Sequence, residues 1–484
     1  MMPRSVVLAS CLAMAGCGLL GPQTRGPDGL SIYNGDLRHL VRQGRFEAAL
    51  ELAEIDGDAA GDDLLAALNL AAVEHYAGRF ESSNDRLLAA DIEIDERFTK
   101  SVAKAAVSLI TNDRVLAWLP SRLERPMIHV YGALNYGALG ELNEAAVEAR
   151  RLSQLLDEMH ELESDGTDQD VYRTLRYFAG AVFEAAGERN DANVAYRNAG
   201  FEDEALVSRY PDGSDVGEVV VLIESGFVAN RVERSVNLLL NADDADYLRS
   251  GSDRARYHAA SCLSRQRLAL AHQSFGSSWD SDDCPRRRPP PRRRPRKRDH
   301  DNDDDDNDDK DVAYLLRVAW PVMHRSIDDV PLGQVRAFAA LSSTLAAVSD
   351  VTAASMADHD GEAILSADLA GAMIREFNGR APGILVKAVA RAAVKYTVVN
   401  ALADDSEVAQ VVGNAITALL ERADTRSWTL LPSGVQIVRL ELPAGTHQVV
   451  VEFGTGQSAI PPLVLDDVEV HADRVTVVAA RAWP

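Results

Sequence analysis

The sequence predicts an α+β multidomain chain, with N-terminal α-helical repeats, a further mostly helical block and a small C-terminal β-sandwich. Three observations carry this. Apolar residues recur at helix spacing in glycine-separated pairs over residues 31–210. A stretch rich in Ala, Ser and Thr, suited to closely packed helices, opens residues 333–424. Residues 425–484 alternate apolar and polar side chains and are rich in Val, as half-buried strands require.

The N-terminus reads as a lipoprotein signal. Arg4 is a positive n-region, residues 5–16 are short and mostly apolar, and Met14-Ala15-Gly16-Cys17 has the small-residue pattern of a lipobox. Leu8-Ala9-Ser10-Cys11 is a second match, but it leaves almost no apolar stretch after Arg4. The expected product loses residues 1–16 as a signal peptide and carries acyl chains such as palmitate on Cys17. Several acyl chains on one residue hold a membrane far more firmly than one. Gly18 stands where an Asp would signal inner-membrane retention, so the outer membrane is expected, with the body facing the periplasm or the cell surface. Residues 17–30, rich in Gly and Pro, read as a lipidated tether.

From Ser31 the helical pattern begins. Leu37, Leu40 and Val41 precede Gly44, and Phe46, Ala49, Leu50 and Ala53 follow it. Leu65 to Tyr76, Gly78, Phe80 and Leu87 repeat the arrangement, and Gly44 and Gly78 lie 34 residues apart, the tetratricopeptide (TPR) period. Gly140 and Gly187 mark two less regular recurrences, the first after Tyr131 to Tyr136 and the second after Tyr177-Phe178-Ala179-Gly180. These four glycines are the expected repeat turns. A helical hairpin leaves an apolar face that the next hairpin must cover. Two readings are open: a concave surface that binds a protein, or an all-helical domain with no groove in use.

Residues 211–332 read as a mixed β region. Glu218 to Ile223 is an apolar, β-branched strand, with Tyr314 to Trp320 as its expected companion. Between them lies an insert at 276–312. Residues 285–298 contain only Pro, Arg and Lys, and residues 299–311 are almost entirely Asp and Asn. Neither block can bury a core, so a disordered, mutually neutralising loop is expected. A calcium loop of the EF-hand type fails, because its sixth and twelfth positions would be Asp304 and Lys310. Cys262 and Cys284 are the cysteines left beyond the anchor, and an oxidising periplasm would permit a bridge between them.

In the helical block, Ala381-Pro382-Gly383 reads as punctuation. After it, Lys387, Arg391 and Lys395 fall at i, i+4 and i+8 on one side of a helix. That stripe is either a solvated face or a dock for an anionic partner. In the C-terminal module, Val435 to Leu442, a turn at Pro443-Ala444-Gly445 and Thr446 to Phe453 give a strand–turn–strand signature. Further strands are expected at Leu463 to Leu465, Val468 to Val470 and Val475 to Val478.

The formal charge of −24 disfavours nucleic-acid binding, which needs clustered Lys and Arg to neutralise phosphates. There is no Walker loop, no dinucleotide GxGxxG, no HExxH and no GxSxG. Eleven histidines are scattered without metal-ligand spacing, and His75 and His129 read as packing or hydrogen-bonding residues. No catalytic residue, metal ligand or cofactor is nominated, and the chain is not expected to be an enzyme.

Several short stretches together resemble a family of bacterial lipoproteins with TPR-like N-terminal halves. They include Tyr33-Asn34-Gly35-Asp36-Leu37, Ala133-Leu134-Asn135-Tyr136, Gly217-Glu218-Val219-Val220, Lys395-Tyr396, and Ala423 to Trp428 before Leu431-Pro432. The resemblance implies an outer-membrane lipoprotein and weakly points to regulators of peptidoglycan synthesis. The expectation is an envelope scaffold that binds a protein partner through its repeats. The alternative is a peptidoglycan or other glycan binder using the β module and the basic stripe.

Overall fold

Helix formation starts where Ser31 caps the chain, its hydroxyl accepting from Asn34 N at 3.1 Å. The computed structural model describes residues 24–25, 29–104, 116–162, 168–201, 215–240, 314–328, 334–341, 360–402, 421–453 and 460–483. Eight helices come first: α1 (Ile32–Arg42), α2 (Phe46–Ile55), α3 (Asp63–Tyr76), α4 (Phe80–Lys104), α5 (Pro126–Ala138), α6 (Leu142–Leu162), α7 (Gln169–Ala185) and α8 (Arg189–Asn198). Gly44, Gly78, Gly140 and Gly187 close the hairpins α1–α2, α3–α4, α5–α6 and α7–α8 with φ between +68° and +80°, a conformation that side-chain-bearing residues avoid.

The hairpins stack, and each helix packs on its neighbours in sequence. The first helix of a hairpin is the inner one. Thus α3, α5 and α7 are buried nearly all round, through residues such as Leu68, Val73, Val130, Tyr131, Phe178 and Val182. In contrast, α2 and α8 bury only a stripe each, Ala49, Leu50 and Ala53 in one and Ala192, Ala195 and Tyr196 in the other.

What covers the inner helices is a sheet. After a short pair, β1 (Thr24–Arg25) and β2 (Leu30–Ser31), the strands are β3 (Val216–Ser225), β4 (Asn230–Leu240), β5 (Tyr314–His324), β6 (Val335–Leu341), β7 (Asp360–Asp368), β8 (Gly434–Pro443), β9 (Gly445–Phe453), β10 (Leu463–Val470) and β11 (Val475–Ala482). Seven of them form one sheet in the order β10-β9-β6-β7-β8-β3-β11, antiparallel throughout except for β3 with β11. The two edges come together, Thr476 donating to the Glu469 carbonyl at 2.9 Å, so the sheet curls into a nearly closed barrel. Its interior is filled by alternate residues such as Val219, Val221, Ile223, Leu440, Val449, Val451 and Val470. The opposite phase, including Val220, Leu222, Ile437 and Val475, joins the core of the helical layer.

The expected fold class is therefore corrected. The chain does not divide into a TPR-like repeat domain, a helical block and a separate small β-sandwich. It is a mixed α/β structure in which the helices pack directly on a seven-stranded barrel-like sheet drawn from residues 216–482. The four strands of the supposed 425–484 module are part of that sheet. The supposed helical block, 333–424, contributes β6 and β7, with one long helix, α9 (Leu369–Leu402), after them. Ala favours helices, but Ala337 and Ala339 suit the crowded barrel interior, and burial between strands decides.

Strand partners also differ from expectation. The segment 435–453 is not a hairpin: β8 pairs with β7 and β3, whereas β9 pairs with β6 and β10. Local alternation identifies the strands, but β6 and β7 come between them. Similarly, β5 pairs with β4, from Asn230↔His324 to Leu240↔Tyr314, and not with β3. Pro382 does not punctuate; α9 runs through it. The 276–312 insert, Cys17, Cys262 and Cys284 lie outside the described residues.

Candidate binding cleft

The inner face of the helical hairpins, where a TPR-like groove would bind its partner, is occupied by the chain itself. Besides the sheet, an extended segment, residues 421–433, threads beneath the helices. Arg38 on α1 donates to the Thr429 carbonyl (2.8 Å), the Val228 carbonyl (3.0 Å) and Ser326 Oγ (2.9 Å). Trp428 N donates to Glu124 at 2.9 Å, Trp118 Nε1 donates to the Arg426 carbonyl at 3.2 Å, and Val228 N donates to the Leu431 carbonyl at 2.8 Å. Trp428 is fully buried.

Open space is found instead at the turn ends of the hairpins. A cleft of about 870 Å³ separates the ends of α3, α5, α6 and α7 from strands β10 and β11. Phe46, Phe80, Leu134, Leu142 and Val182 wall it on the helical side, Val464, Val468 and Val477 on the strand side. Its volume falls within the range of small-ligand sites.

Five polar or aromatic residues, His75, Tyr76, Glu224, Arg481 and Trp483, cluster on one part of its lining, its floor. Strand register places two of them side by side: Arg481 on β11 is the partner of Glu224 on β3. Their neighbours Ala480 and Ile223 point into the barrel, so by alternation Arg481 and Glu224 face the helices. The Arg481 guanidinium lies 4.5 Å from the Trp483 ring centroid, 5.5 Å from that of Tyr76 and 5.6 Å from that of Phe227. Its Nη2 donates to the Gly226 carbonyl at 2.6 Å. Its Nη1 is 3.9 Å from Glu224 Oε1, close enough for ion pairing but too far for a hydrogen bond. Glu224 Oε1, Arg481 Nε and Arg481 Nη1 are buried atoms without a hydrogen-bond partner.

The rest of the floor is hydrogen-bonded. The Tyr131 hydroxyl lies 2.8 Å from that of Tyr76. The Tyr76 hydroxyl also reaches the Leu430 carbonyl, to which it donates at 3.1 Å. Burial pushes the Glu224 carboxyl above its ordinary range, against the opposing pull of Arg481 and the Tyr131 bond. Burial likewise raises both tyrosines. His75 pairs its Nδ1 with Asn135 Oδ1 at 2.6 Å, and burial lowers it to about 4, so its imidazole is neutral at pH 7. Asn135 in turn donates to Ser83 and Asn84, each at 2.9 Å.

A second buried Arg–Glu cluster lies under α7 and α8. Arg439 on β8 donates to Glu184 (3.0 Å) and to Glu218, and also to the hydroxyls of Tyr196 (3.0 Å) and Tyr177 (3.3 Å). Tyr196 closes the ring by donating to Glu184 at 2.6 Å.

One member of the expected basic stripe is buried. Arg391 is 1% exposed and sits 3.4 Å from Glu421, equally buried. Lys387 is half-buried, and the side chain of Lys395 lies outside the described residues. Arg391 therefore faces the interior and not a solvated dock. Of the turn glycines, Gly140 borders the cleft. The floor residues Glu224, Arg481 and Trp483 were not singled out by sequence reasoning. Their signal was a charge on the helix-facing phase of otherwise apolar strands. Among the described residues, no group of three His, Cys, Asp or Glu side chains is arranged to hold a metal, and no helix is long and apolar enough to cross a membrane. No protein-family model matches the chain, and no curated protein compared with it matches either.

Proposed function

We propose that this chain is a lipid-anchored cell-envelope adaptor that takes hold of a partner protein in the cleft between its helical hairpins and strands β10–β11. The observation that carries the reading is the cleft itself, about 870 Å³ between the apolar walls of the hairpin ends and strands β10–β11. The inner helical face is filled by residues 421–433 and the sheet, so the partner site moves to the hairpin ends. Cys17 supplies the anchor. The polysaccharide alternative loses its anionic dock, since Arg391 is buried.

Photo-crosslinking in cells tests this. Val464 is half exposed on the cleft wall, and Val194 is similarly exposed on α8, outside the cleft. A photoreactive residue at 464, and not at 194, should capture one defined envelope protein. Equal capture at both positions, or none at 464, overturns the reading. Cys17→Ser should release the protein from the membrane fraction.

A further inference from the structure

We infer that the partner enters the cleft as an extended, cationic segment and adds a strand to the open edge of β11. This rests on the cleft being the binding surface. In a parallel ladder, successive residues of a strand bond to opposite sides. Glu218 N donates to the Arg474 carbonyl at 2.9 Å, and Gly226 N to the Ala482 carbonyl at 3.1 Å. The even-numbered residues of β11 therefore bond to β3, and Val475, Val477, Ala479 and Arg481 turn their N–H and C=O groups the other way. All four line the cleft. Among the described residues, none of them has a backbone partner on that side, since β10 and β11 stand at opposite ends of the sheet order. Both side-chain phases border the cleft, Thr476 and Val478 as well as Val475, Val477 and Ala479, so it opens onto the edge of β11 and not onto one face.

The two sheet edges are not alike. Sheets guard an open edge with charges, bulges or proline. On β10 the register shifts between Leu465 and Val468, and Asp466 and Asp467 in that bulge are exposed. From Val475 to Ala480, β11 has no charge, no proline and no break in its register with β3. Its outward-turned residues, Val475 to Arg481, span about 20 Å, the length of a strand of about seven residues. In strand addition, backbone pairing supplies the hold and pockets for alternate side chains supply the choice. Leu134, Leu142 and Val182 on the helical wall suit aliphatic side chains at alternate positions. Charge selects the rest. Beyond the Glu224–Arg481 pair, the lining carries Asp466, Asp467 and Glu469 against Arg474 and His471, which favours lysine or arginine on the segment. The net charge of −24 repels an acidic segment as well.

The test uses the full-length protein and a fluorescein-labelled peptide of sequence Lys-Val-Thr-Val-Thr-Val-Lys, closed as an N-methylamide. A second peptide has esters in place of its central amide bonds, which removes N–H donors and keeps every side chain. A third has Glu in place of both Lys. Anisotropy titrations should show the amide peptide binding about tenfold tighter than the ester, and tighter than the Glu peptide. Ala479→Pro removes an outward N–H at an edge position, where proline is tolerated, and should weaken the amide peptide about tenfold, with folding checked by circular dichroism. The wild-type series alone decides if that variant does not fold. Equal binding of amide and ester peptides to the wild type overturns the inference. So does equal binding of the Lys and Glu peptides, or absence of peptide binding at millimolar concentration. A concentration-dependent dimer in sedimentation, lost in Ala479→Pro, overturns it in favour of a second copy of this chain on the edge. A protein captured at position 464 together with equal amide and ester binding would leave the adaptor reading standing and remove only this inference.

Discussion

One strand, β3, carries two buried glutamates on the same helix-facing side, and their fates differ. Glu218 meets Arg439 in a ring closed by Glu184, Tyr177 and Tyr196. Glu224 meets Arg481 across a longer gap, beside the cleft, without a hydrogen bond between them. The ingredients are alike: an arginine from a neighbouring strand, a glutamate from β3 and two tyrosines from inner or outer helices. The closed ring fastens α7 and α8 to the sheet. The open pair, at the sheet edge where the helices end, is held by charge across 3.9 Å. A buried ion pair is thus not one kind of feature; direct hydrogen bonds separate a fastening from a looser contact.

The largest expected effect breaks the closed ring. Arg439→Met leaves Glu184 and Glu218 buried without their cation and should cost about 3–5 kcal/mol in denaturant unfolding. Arg481→Met should cost less, about 2 kcal/mol, since the pair it breaks is already incomplete. Equal losses would erase the distinction between the two regions.

Gly180→Ala probes the closed ring from below. A Cβ there would lie 2.7 Å from the Tyr196 ring, so the ring must shift, with about 1–3 kcal/mol lost and peptide binding in the cleft unchanged.

The open floor should reveal itself by pH. His75 has its pKa lowered to about 4 in the folded state against an ordinary 6.5, so its contribution is present above pH 6.5 and lost as pH falls toward 4. The slope in that window should not exceed about 1.4 kcal/mol per pH unit, and His75→Asn should flatten it. Glu224 acts in the opposite sense. Its carboxyl is raised by burial, so its contribution is present below the ordinary carboxylate value and is lost as pH rises through the folded value. Thermal melts of Glu224→Gln at stepped pH should lack that loss.

The smallest expected effect is Gly137→Ala, on the cleft wall within α5, where an added Cβ meets nothing within 4 Å. It should stabilise the helix by about 0.4–1 kcal/mol while narrowing the cleft, which would separate cleft shape from stability.

Much of the local structure was legible. The turn glycines stand out because a left-handed residue between two amphipathic stretches is a local requirement, visible in Leu40-Val41 before Gly44 and Phe46 after it. The strands of the C-terminal part were legible from alternation. Their partners were not, because pairing depends on which strands arrive between them: β6 and β7 separate β8 from β9. The Ala-rich β6 misled because propensity is weak beside burial. Lys387 and Arg391 lie on α9, but the sequence had no means to show that Arg391 would turn toward Glu421. The cleft floor was hidden for the same reason, since Glu224 and Arg481 lie far apart in the chain and meet only through the parallel pairing of β3 and β11.

By itself, then, the sequence determined where helices turn, which stretches alternate as strands and the acidic balance of the chain, all of which arise from neighbouring residues. Only the tertiary structure decided that the sheet curls nearly closed, that residues 421–433 fill the inner face of the hairpins, and that one buried glutamate of β3 joins a hydrogen-bonded ring while the other lies beside a cleft. Those outcomes depend on contacts between residues distant in sequence, where burial and the pairing of strand edges outweigh local preference.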